Sequence, residues 1–398
     1  MQTAEICRSA AQWQPSELSI DLSYTMENAR RRSAEGKFTV VSTFSGGGGS
    51  SLGYRLAGGK VMAANEFVPE AARTYRTNFP ETHVDVRDIR TLLHHPNAVE
   101  DFLAKAGTAA GELDLLDGSP PCCQFSNAGG GISDQNVMRS YSDVRQNHIA
   151  TLPHDWAEFA LRADAKTIVM ENVPEIMTTG AEILACVMRR LRSRYAVQVS
   201  VLTARDFGVP QHRRRAFLVG IRHDIATRLG VTGDGDMQHV FPKPSTPVPV
   251  SIRQALDGLN QNLDDVLPFV KSARMSGLAD LMARLPKEPN KHTRLRHVSP
   301  GETKHFSLIR TSWDLPAPTL TASAQMPNGL AGVFHPYFDR KFTLPELKRL
   351  ASLPDDFVLT GTLSQGAERI CRMVPPFLAA AVSDSIYRNV LKPAEIVK

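Results

Sequence analysis

The chain has 398 residues, of which 42% are hydrophobic and 22% charged, an ordinary composition for a globular protein. This length exceeds one comfortable hydrophobic core, so we expect a large domain and a smaller one. No apolar stretch approaches the roughly 20 residues of a membrane-spanning helix, and the first residues lack the pattern of a secretory signal. Five cysteines, two of them adjacent, make a poor disulfide framework and favour a reducing cytoplasm.

The net charge is +5, and its distribution is more informative than its size. Residues 189–215 contain eight arginines and one acid, and residues 284–310 contain seven lysines or arginines and two acids. Two local basic zones suit a polyanion such as nucleic acid. Solvated helix faces and loops would explain them equally well.

Strands and helices alternate over the first half of the chain. After a polar, partly helical extension, FTVVSTF predicts a strand, followed by a glycine-rich turn, a helix and a second strand. Further strands are predicted at LDLLDGSPP, AKTIVMENVP, AVQVSVLTA and RRAFLVGIR, with helical stretches such as HDWAEFALRA and AEILACVMRRLRSR between them. This alternation predicts an α/β fold with a mostly parallel sheet.

Beyond about residue 222 the pattern changes. Glycine and proline are dense at first, and no clear period follows, which indicates a second, irregular domain. TLPELKRLASLPDDF and PPFLAAAVSDSIYRNVL are helix-like near the end, and we expect the latter to pack on the first domain. The predicted divisions are an extension at 1–36, a large domain at 37–222 completed by 375–391, and a small domain at 223–374.

The glycine turn, residues 45–53, lies where the chain leaves a strand and enters a helix, the usual crevice for a nucleotide-like ligand. Glu66 follows 20 residues after Gly46, a spacing at which an acid accepts hydrogen bonds from ribose hydroxyls. The run is not G-x-G-x-x-G, because the sixth position is Ser51 or Leu52. A turn without a ligand, a nicotinamide cofactor and S-adenosylmethionine all remain open at this point.

Three further segments carry reactive side chains. Cys122 follows a strand and two prolines on a stiff turn that suits a thiolate nucleophile, although an incidental buried thiol is the commoner case. Glu171 ends another strand, where it could protonate a ring nitrogen at the same sheet edge or simply cap the strand. In QHRRR, Gln211, Arg213 and Arg215 would share one face of an extended segment, suited to phosphate or base oxygens or forming a solvated basic edge.

In this order the segments resemble the DNA cytosine-5 methyltransferase family across most of residues 37–391. TFSGGGGSSLG resembles the family's first motif, NEF supplies the ribose acid, and DVRDIR resembles the third motif. PPC resembles the nucleophile motif, ENV the glutamate motif and PQHRRR the Q-x-R-x-R motif. YSDVRQNH resembles the loop that closes on DNA, and SWDLPAPTLTA and AERICRMVPPFLAAAVSDSIY resemble the segments that follow target recognition.

The resemblance implies a Rossmann-like class I S-adenosylmethionine-dependent methyltransferase domain with a mostly parallel sheet. A smaller, irregular target-recognition domain would contain the recognition region at about residues 225–310. S-adenosylmethionine is then the cofactor and double-stranded DNA the partner, and no metal is required. We expect a monomer of the cytoplasm, nucleoid-associated through DNA and without membrane contact, with a cognate restriction endonuclease as a functional partner.

The family's functional residues carry over by motif in three groups. The catalytic residues are Cys122, Glu171, Arg213 and Arg215. The cofactor-binding residues are Phe44, Ser45, Gly46, Gly48, Glu66, Asp88, Ile89 and Pro121. The DNA-binding residues are Gln124, Ser126, Asn172, Gln211, Lys291, Arg294, Arg296 and Lys304.

Two positions depart from the family pattern. Where the family usually has P-C-Q, this chain has Cys123 after Cys122, and Gln124 comes one place later. Cys122 keeps the register of the preceding prolines and of Phe125, so the nucleophile is assigned there. Arg372 replaces the family's asparagine near the donor site.

The resemblance also implies a chemical route. The target cytosine would leave the duplex stack, Cys122 would add to its C6, and Glu171 would protonate N3. The alternatives are a tRNA cytosine-5 methyltransferase of the same fold and a non-catalytic DNA-binding regulatory homologue. A nicotinamide-dependent oxidoreductase is disfavoured by the glycine spacing.

Overall fold

The computed structural model describes residues 21–121, 139–141, 144–146, 149–231, 234–298, 308–322 and 332–396. Four candidate residues lie outside these ranges, namely Cys122, Gln124, Ser126 and Lys304. The roles given to them rest on the sequence.

Strands and helices alternate through the first half of the structure, as the sequence predicts. The strands are β1 (Phe38–Thr43), β2 (Gly59–Asn65), β3 (His83–Asp85), β4 (Leu115–Gly118), β5 (Arg139–Tyr141), β6 (Val144–Gln146), β7 (Thr167–Asn172), β8 (Tyr195–Thr203), β9 (Gln211–His212), β10 (Arg214–Arg222), β11 (Thr293–Arg294), β12 (Leu308–Arg310), β13 (Ala317–Pro318) and β14 (Gly332–Phe334). The α-helices are α1 (Met26–Ser33), α2 (Gly49–Leu56), α3 (Pro69–Asn78), α4 (Ile89–His94), α5 (Ala98–Lys105), α6 (Leu152–Ala163), α7 (Ala181–Leu191), α8 (His223–Arg228), α9 (Ile252–Leu256), α10 (Leu263–Met275), α11 (Leu278–Ala283), α12 (Leu295–Val298), α13 (Leu344–Leu350), α14 (Leu363–Arg372), α15 (Pro376–Ile386) and α16 (Lys392–Ile396).

Seven strands form a central sheet in the order β3-β2-β1-β4-β7-β10-β8. The first five run parallel to their neighbours, and β10 is antiparallel to both β7 and β8. The chain builds outward from β1 to β3 and then returns to place β4 on the other side of β1. In open α/β sheets such a reversal opens a crevice at the carboxyl ends of the strands. The crevice therefore lies where β1 and β4 end.

Helices cover both faces of the sheet, which is why its central strands are continuously buried. All six residues of β7 are buried. Because successive side chains of a strand point to opposite faces, Val40 packs into one core cluster and Val41 into the other. Trp156 and Phe159 of α6 belong to the second cluster.

The C-terminal helix α15 is buried along its whole length and packs against α2, as the sequence predicts for this apolar segment. Gly53 of α2 makes the close approach possible, because a Cβ there would lie 2.4 Å from the carbonyl oxygen of Pro376. The segment Tyr387–Leu391 continues α15 as a π-helical turn. No helix among the described residues is long and apolar enough to cross a membrane.

A third and smaller core cluster belongs to the region after β10. It gathers apolar residues of α10, α11, α12 and the strands β12 and β14. These strands form a separate three-stranded sheet with β11. The short strand β13 instead pairs with β9, so this region also contacts the segment that carries Gln211.

Candidate active site

The turn after β1 has a backbone conformation that most residues avoid. Phe44, Gly46 and Gly48 have φ values of 51°, 54° and 100°, which lie in the left-handed region that favours glycine. The protein also packs closely around the turn: a Cβ on Gly48 would lie 2.5 Å from the Phe79 ring. Its glycines are therefore required by conformation and packing, independently of any ligand.

Glu66 follows β2 and places a buried carboxylate under this turn. Its Oε2 accepts the N–H of Gly46 over 2.7 Å, and its Oε1 accepts the N–H of Val68 over 2.7 Å. Burial raises the pKa of Glu66 to about 7, although these two hydrogen bonds oppose the shift. Each carboxylate oxygen keeps a further lone pair that can accept a ligand hydroxyl.

Asn65 holds the segment after β3 beside Glu66. Its side-chain amide donates to the carbonyl oxygens of Asp85 and Arg87 over 3.2 and 2.9 Å. Asp88 then caps α4 and binds both the N–H and the guanidinium of Arg90. Partial burial opposes a low pKa at Asp88, but the hydrogen bonds from Arg90 outweigh it and lower the pKa.

The remaining predicted donor-site residues differ in exposure. Ile89 is buried in the second core cluster, and the half-buried Phe44 packs against that cluster. Ser45 donates its hydroxyl to the carbonyl oxygen of Asn65 over 3.2 Å. Pro121 is half-buried. Ile89 is thus part of the core, and the more exposed Phe44 is better placed to face a ligand.

Glu171 lies near the end of β7, at the same edge of the sheet. It is buried, and the Nε atom of Arg215 lies 2.8 Å from its Oε1. The next residue, Asn172, donates its amide to the carbonyl oxygen of Pro120 over 3.2 Å. This contact fastens the end of β7 to the segment that leads directly into Cys122.

The segment 211–215 alternates in exposure, as predicted for an extended chain. Gln211 and Arg213 are buried, whereas His212 and Arg214 are exposed. Gln211 accepts the N–H of Leu320, and Arg213 donates to the carbonyl oxygen of the same residue. Gln211 and Arg213 thus bind residues 211–215 to the segment around β13, while Arg215 contacts Glu171.

Three candidate DNA contacts lie on or next to the small three-stranded sheet and the helix after it. Lys291 and Arg296 are exposed, and Arg294 is half-buried. Lys291 precedes β11, Arg294 belongs to β11, and Arg296 belongs to α12.

Residues 38–388 match the family model described as C-5 cytosine-specific DNA methylase. The chain belongs to this family. It is therefore a DNA cytosine-5 methyltransferase, and the prediction drawn from the ordered motifs is confirmed. Membership of the family implies S-adenosylmethionine as methyl donor and DNA as substrate.

Curated relatives and solved structures resemble the chain over most of its length. It is 29% identical over 367 residues to the type II methyltransferase M1.HphI of Haemophilus parahaemolyticus, covering 88% of this chain and 87% of that protein. It is 28% identical over 376 residues to the type II methyltransferase M.SacI of Streptomyces achromogenes, covering 86% and 91%. A structure described as a DNA modification methyltransferase encoded within a prophage (E. coli) has a TM-score of 0.64 at 21% identity, covering 89% of this chain and 99% of that one. This likeness confirms the predicted α/β methyltransferase fold.

Two features of this methyltransferase were not anticipated from its motifs. Arg372, the departure at the end of α14, forms an ion pair with Glu368 of the same helix at 2.8 Å. Asp117 is a carboxylate buried inside β4. Its only signal in the sequence is an acid within the apolar run LDLLDG, which a solvent-facing strand position would also explain.

Proposed function

We propose that this enzyme transfers a methyl group from S-adenosylmethionine to C5 of a flipped cytosine in a short duplex DNA site. The reaction would pass through a covalent bond between Cys122 and C6 of the base. One observation carries the proposal: the glycine turn with Glu66, the Glu171–Arg215 pair and the segment leading into Cys122 share one edge of the sheet.

The residues around the turn fit the chemistry of the methyl donor. Glu66 offers a buried carboxylate with lone pairs free for the two ribose hydroxyls. Asp88, half-buried at the start of α4, suits the amino group of adenine, and the ring of Phe44 suits an apolar face of the donor. Ser45, Gly46 and Gly48 shape the turn, and Pro121 would border the bound donor. When bound, S-adenosylmethionine supplies an electrophilic methyl group on a positively charged sulfur.

Cys122 and Glu171 would activate the base together. C5 of cytosine is a weak nucleophile, so the Cys122 thiolate adds to C6 while a proton passes from Glu171 to N3. The electron pair of the broken C5–C6 double bond then makes C5 nucleophilic. After C5 is methylated, its proton leaves to solvent, Cys122 departs as thiolate, and N3 returns its proton to Glu171. Both protein groups are thereby regenerated.

Arg215 and its neighbours would hold this arrangement. The Arg215 guanidinium would hold its charge beside the Glu171 carboxylate, and Arg213 ties residues 211–215 to the segment around β13. Asn172 keeps the end of β7 against Pro120. Gln211, in the same segment, would contact DNA. These groups orient the reacting side chains while the flipped base is held.

The region after β10 would bind the duplex. We assign residues 223–374 to a small domain, with the recognition region at about 225–310, and residues 37–222 with 375–391 to the catalytic domain. Lys291, Arg294, Arg296 and Lys304 would contact phosphates or base edges, joined near the base by Gln124 and Ser126. Because the curated relatives are named type II methyltransferases, a cognate restriction endonuclease is the proposed functional partner.

Bisulfite sequencing of DNA from cells that express the protein tests the proposal and reveals the recognition site. Wild-type protein should protect one short sequence from conversion, and Cys122→Ser should abolish protection. The matched control is Cys123→Ser, which should retain it. A purified duplex with 5-fluorocytosine at that site should form a covalent adduct only when Cys122 is present. Methyl transfer confined to tRNA would instead favour the tRNA alternative.

A further inference from the structure

Asp117 is a buried carboxylate in the middle of the sheet that the proposed mechanism does not use. It is 1% exposed and lies in β4, opposite Ser42 of β1 on one side and Val169 of β7 on the other. An ionised carboxylate away from water is costly unless hydrogen bonds or a cation compensate it. An apolar side chain would serve the core better, so its presence calls for another explanation.

Hydroxyl groups from both sides of the glycine turn bind Asp117. The hydroxyls of Ser42 and Ser50 donate to its Oδ2 over 2.8 and 3.0 Å, and the hydroxyl of Tyr54 also hydrogen-bonds to it. In the described part of the chain, no lysine or arginine forms a salt bridge with it. Ser42 precedes the turn in β1, Ser50 lies within the turn at the start of α2, and Tyr54 follows the turn in the same helix. Asp117 therefore fastens both ends of the turn to β4.

The same carboxylate lies close to the groups proposed to act on the base. Burial raises its pKa to about 6, and repulsion from the Glu171 carboxylate adds to that shift although the hydroxyls oppose it. Four residues after Asp117, the chain reaches Pro121 and then Cys122. Asp117 thus connects the glycine turn to β4, the strand that leads into Cys122.

We propose that Asp117 is a positioning residue for the methyl donor. Its carboxylate, through Ser42 and Ser50, sets the glycine turn relative to the end of β4, so that the donor binds in line with the reacting base. This inference rests on the proposed function, because it names the donor and Cys122. It adds a residue that would act through the turn and would not itself touch the substrate.

Asp114, immediately before the same strand, provides a matched control. Its carboxylate accepts the N–H and hydroxyl of Thr39 over 2.8 and 2.9 Å and the ammonium of Lys166 over 2.6 Å. It binds the beginning of β1, whereas the glycine turn follows the end of that strand. Replacing Asp114 removes comparable hydrogen bonds without touching the turn.

The test compares donor affinity by calorimetry, thermal stability, and the KM for duplex DNA in the full-length protein. Asp117→Leu and Ser50→Ala should weaken S-adenosylmethionine binding, with about a tenfold loss for Asp117→Leu, while the KM for DNA stays unchanged. Asp117→Asn, which keeps one carbonyl acceptor, should recover part of that loss. Asp114→Asn should lower the melting temperature and leave donor affinity unchanged. Adding Ser50→Ala to Asp117→Asn should cost less than the sum of the two single effects, because both act on one contact.

Several outcomes would overturn the inference and leave the proposed function intact. One is a wild-type donor affinity in Asp117→Asn and Ser50→Ala, which test the contact even if Asp117→Leu fails to fold. Another is an equal loss in Asp114→Asn, since the effect would then be a general loss of structure. A wild-type protein that does not bind S-adenosylmethionine at all would refute both.

Discussion

At the scale of single residues, the donor site depends on a carboxyl group whose ionisation is set by burial. Glu66 has a pKa of about 7, because it lies away from water and the two backbone N–H groups that it accepts only partly offset the effect of burial. Ribose hydroxyls donate to the ionised form better than to the protonated form. A bound donor would therefore stabilise the carboxylate and release a proton.

This linkage gives donor binding a pH dependence of known sign. Below pH 7 the free protein carries a proton on Glu66 that binding must remove, so affinity should fall up to tenfold for each pH unit below 7. Above about pH 8 the affinity should be constant. Calorimetry with S-adenosylmethionine between pH 6 and 8 measures the slope. Glu66→Gln should bind more weakly and without this slope; the same slope in that variant would assign it to another group.

Glu171 should matter for chemistry and not for donor binding. Glu171→Gln cannot deliver a proton to N3, so we expect kcat to fall by about 10²- to 10⁴-fold, the usual contribution of a positioned acid. Donor affinity should stay within about twofold, because among the described residues no hydrogen bond or ion pair joins Glu171 to the glycine turn. Single-turnover methyl transfer to a duplex substrate measures the loss of rate, and calorimetry measures the donor affinity. Glu175→Gln, the same change four residues on, is the control; an equal kcat loss there would contradict the assignment.

At the scale of elements, α2 packs closely against the backbone of α15. A Cβ at Gly53 would lie 2.4 Å from the carbonyl oxygen of Pro376 and 2.8 Å from the nitrogen of Ala380. These are backbone atoms that cannot rotate away, so Gly53→Ala should destabilise the protein by about 1–3 kcal/mol. The better helix propensity of alanine, about 1 kcal/mol, offsets this only in part.

Gly366 of α14 offers the matched comparison. A Cβ there would first meet Leu344 Cδ1 at 3.1 Å, the end of a side chain that can move. Gly366→Ala should therefore change the free energy of unfolding by less than about 1 kcal/mol. Denaturant unfolding of both variants separates the two cases. Equal effects would show that the approach of α15 to α2 is looser than the structure indicates.

The sequence predicted the elements well and their pairing only in part. Strands such as β1 and β7 are short β-branched runs between turn residues, so they could be found locally. The antiparallel direction of β10 and the pairing of β13 with β9 join segments far apart in the chain, and no local pattern encodes them. The Asp117 cluster was missed for the same reason, because Ser42 lies 75 residues away.

At the scale of the whole molecule, the described residues form three core clusters, two against the central sheet and one in the region after β10. Arg310 organises the third cluster, where its fully buried guanidinium pairs with Asp339. It also donates to the carbonyl oxygens of Met282 and Tyr337 over 2.6 and 3.3 Å. One side chain thus donates hydrogen bonds to several backbone carbonyl groups of the proposed small domain.

This arrangement predicts that DNA binding and donor binding can be separated. Arg310→Met leaves the Asp339 carboxylate, which is 28% exposed, with only Lys287 at 4.0 Å, and it removes the donor to the carbonyl oxygens of Met282 and Tyr337. Leaving a buried carbonyl group unsatisfied costs about 1–3 kcal/mol. Because these contacts lie in the third cluster, affinity for duplex DNA should fall while affinity for S-adenosylmethionine stays unchanged.

Hydrogen exchange provides the readout for that separation. Amides of α11 and β12 should lose protection in Arg310→Met, while those of β1, β4 and β7 keep it. Arg253→Met is the control in the same region, because the Arg253–Asp314 ion pair is 59% and 71% exposed and contributes at most about 1 kcal/mol. A parallel loss of donor affinity in Arg310→Met would mean that the three clusters unfold as one cooperative unit. Residues 223–374 would then not form an independently stable domain, and the proposed division at residue 222 would mark only a change along the sequence.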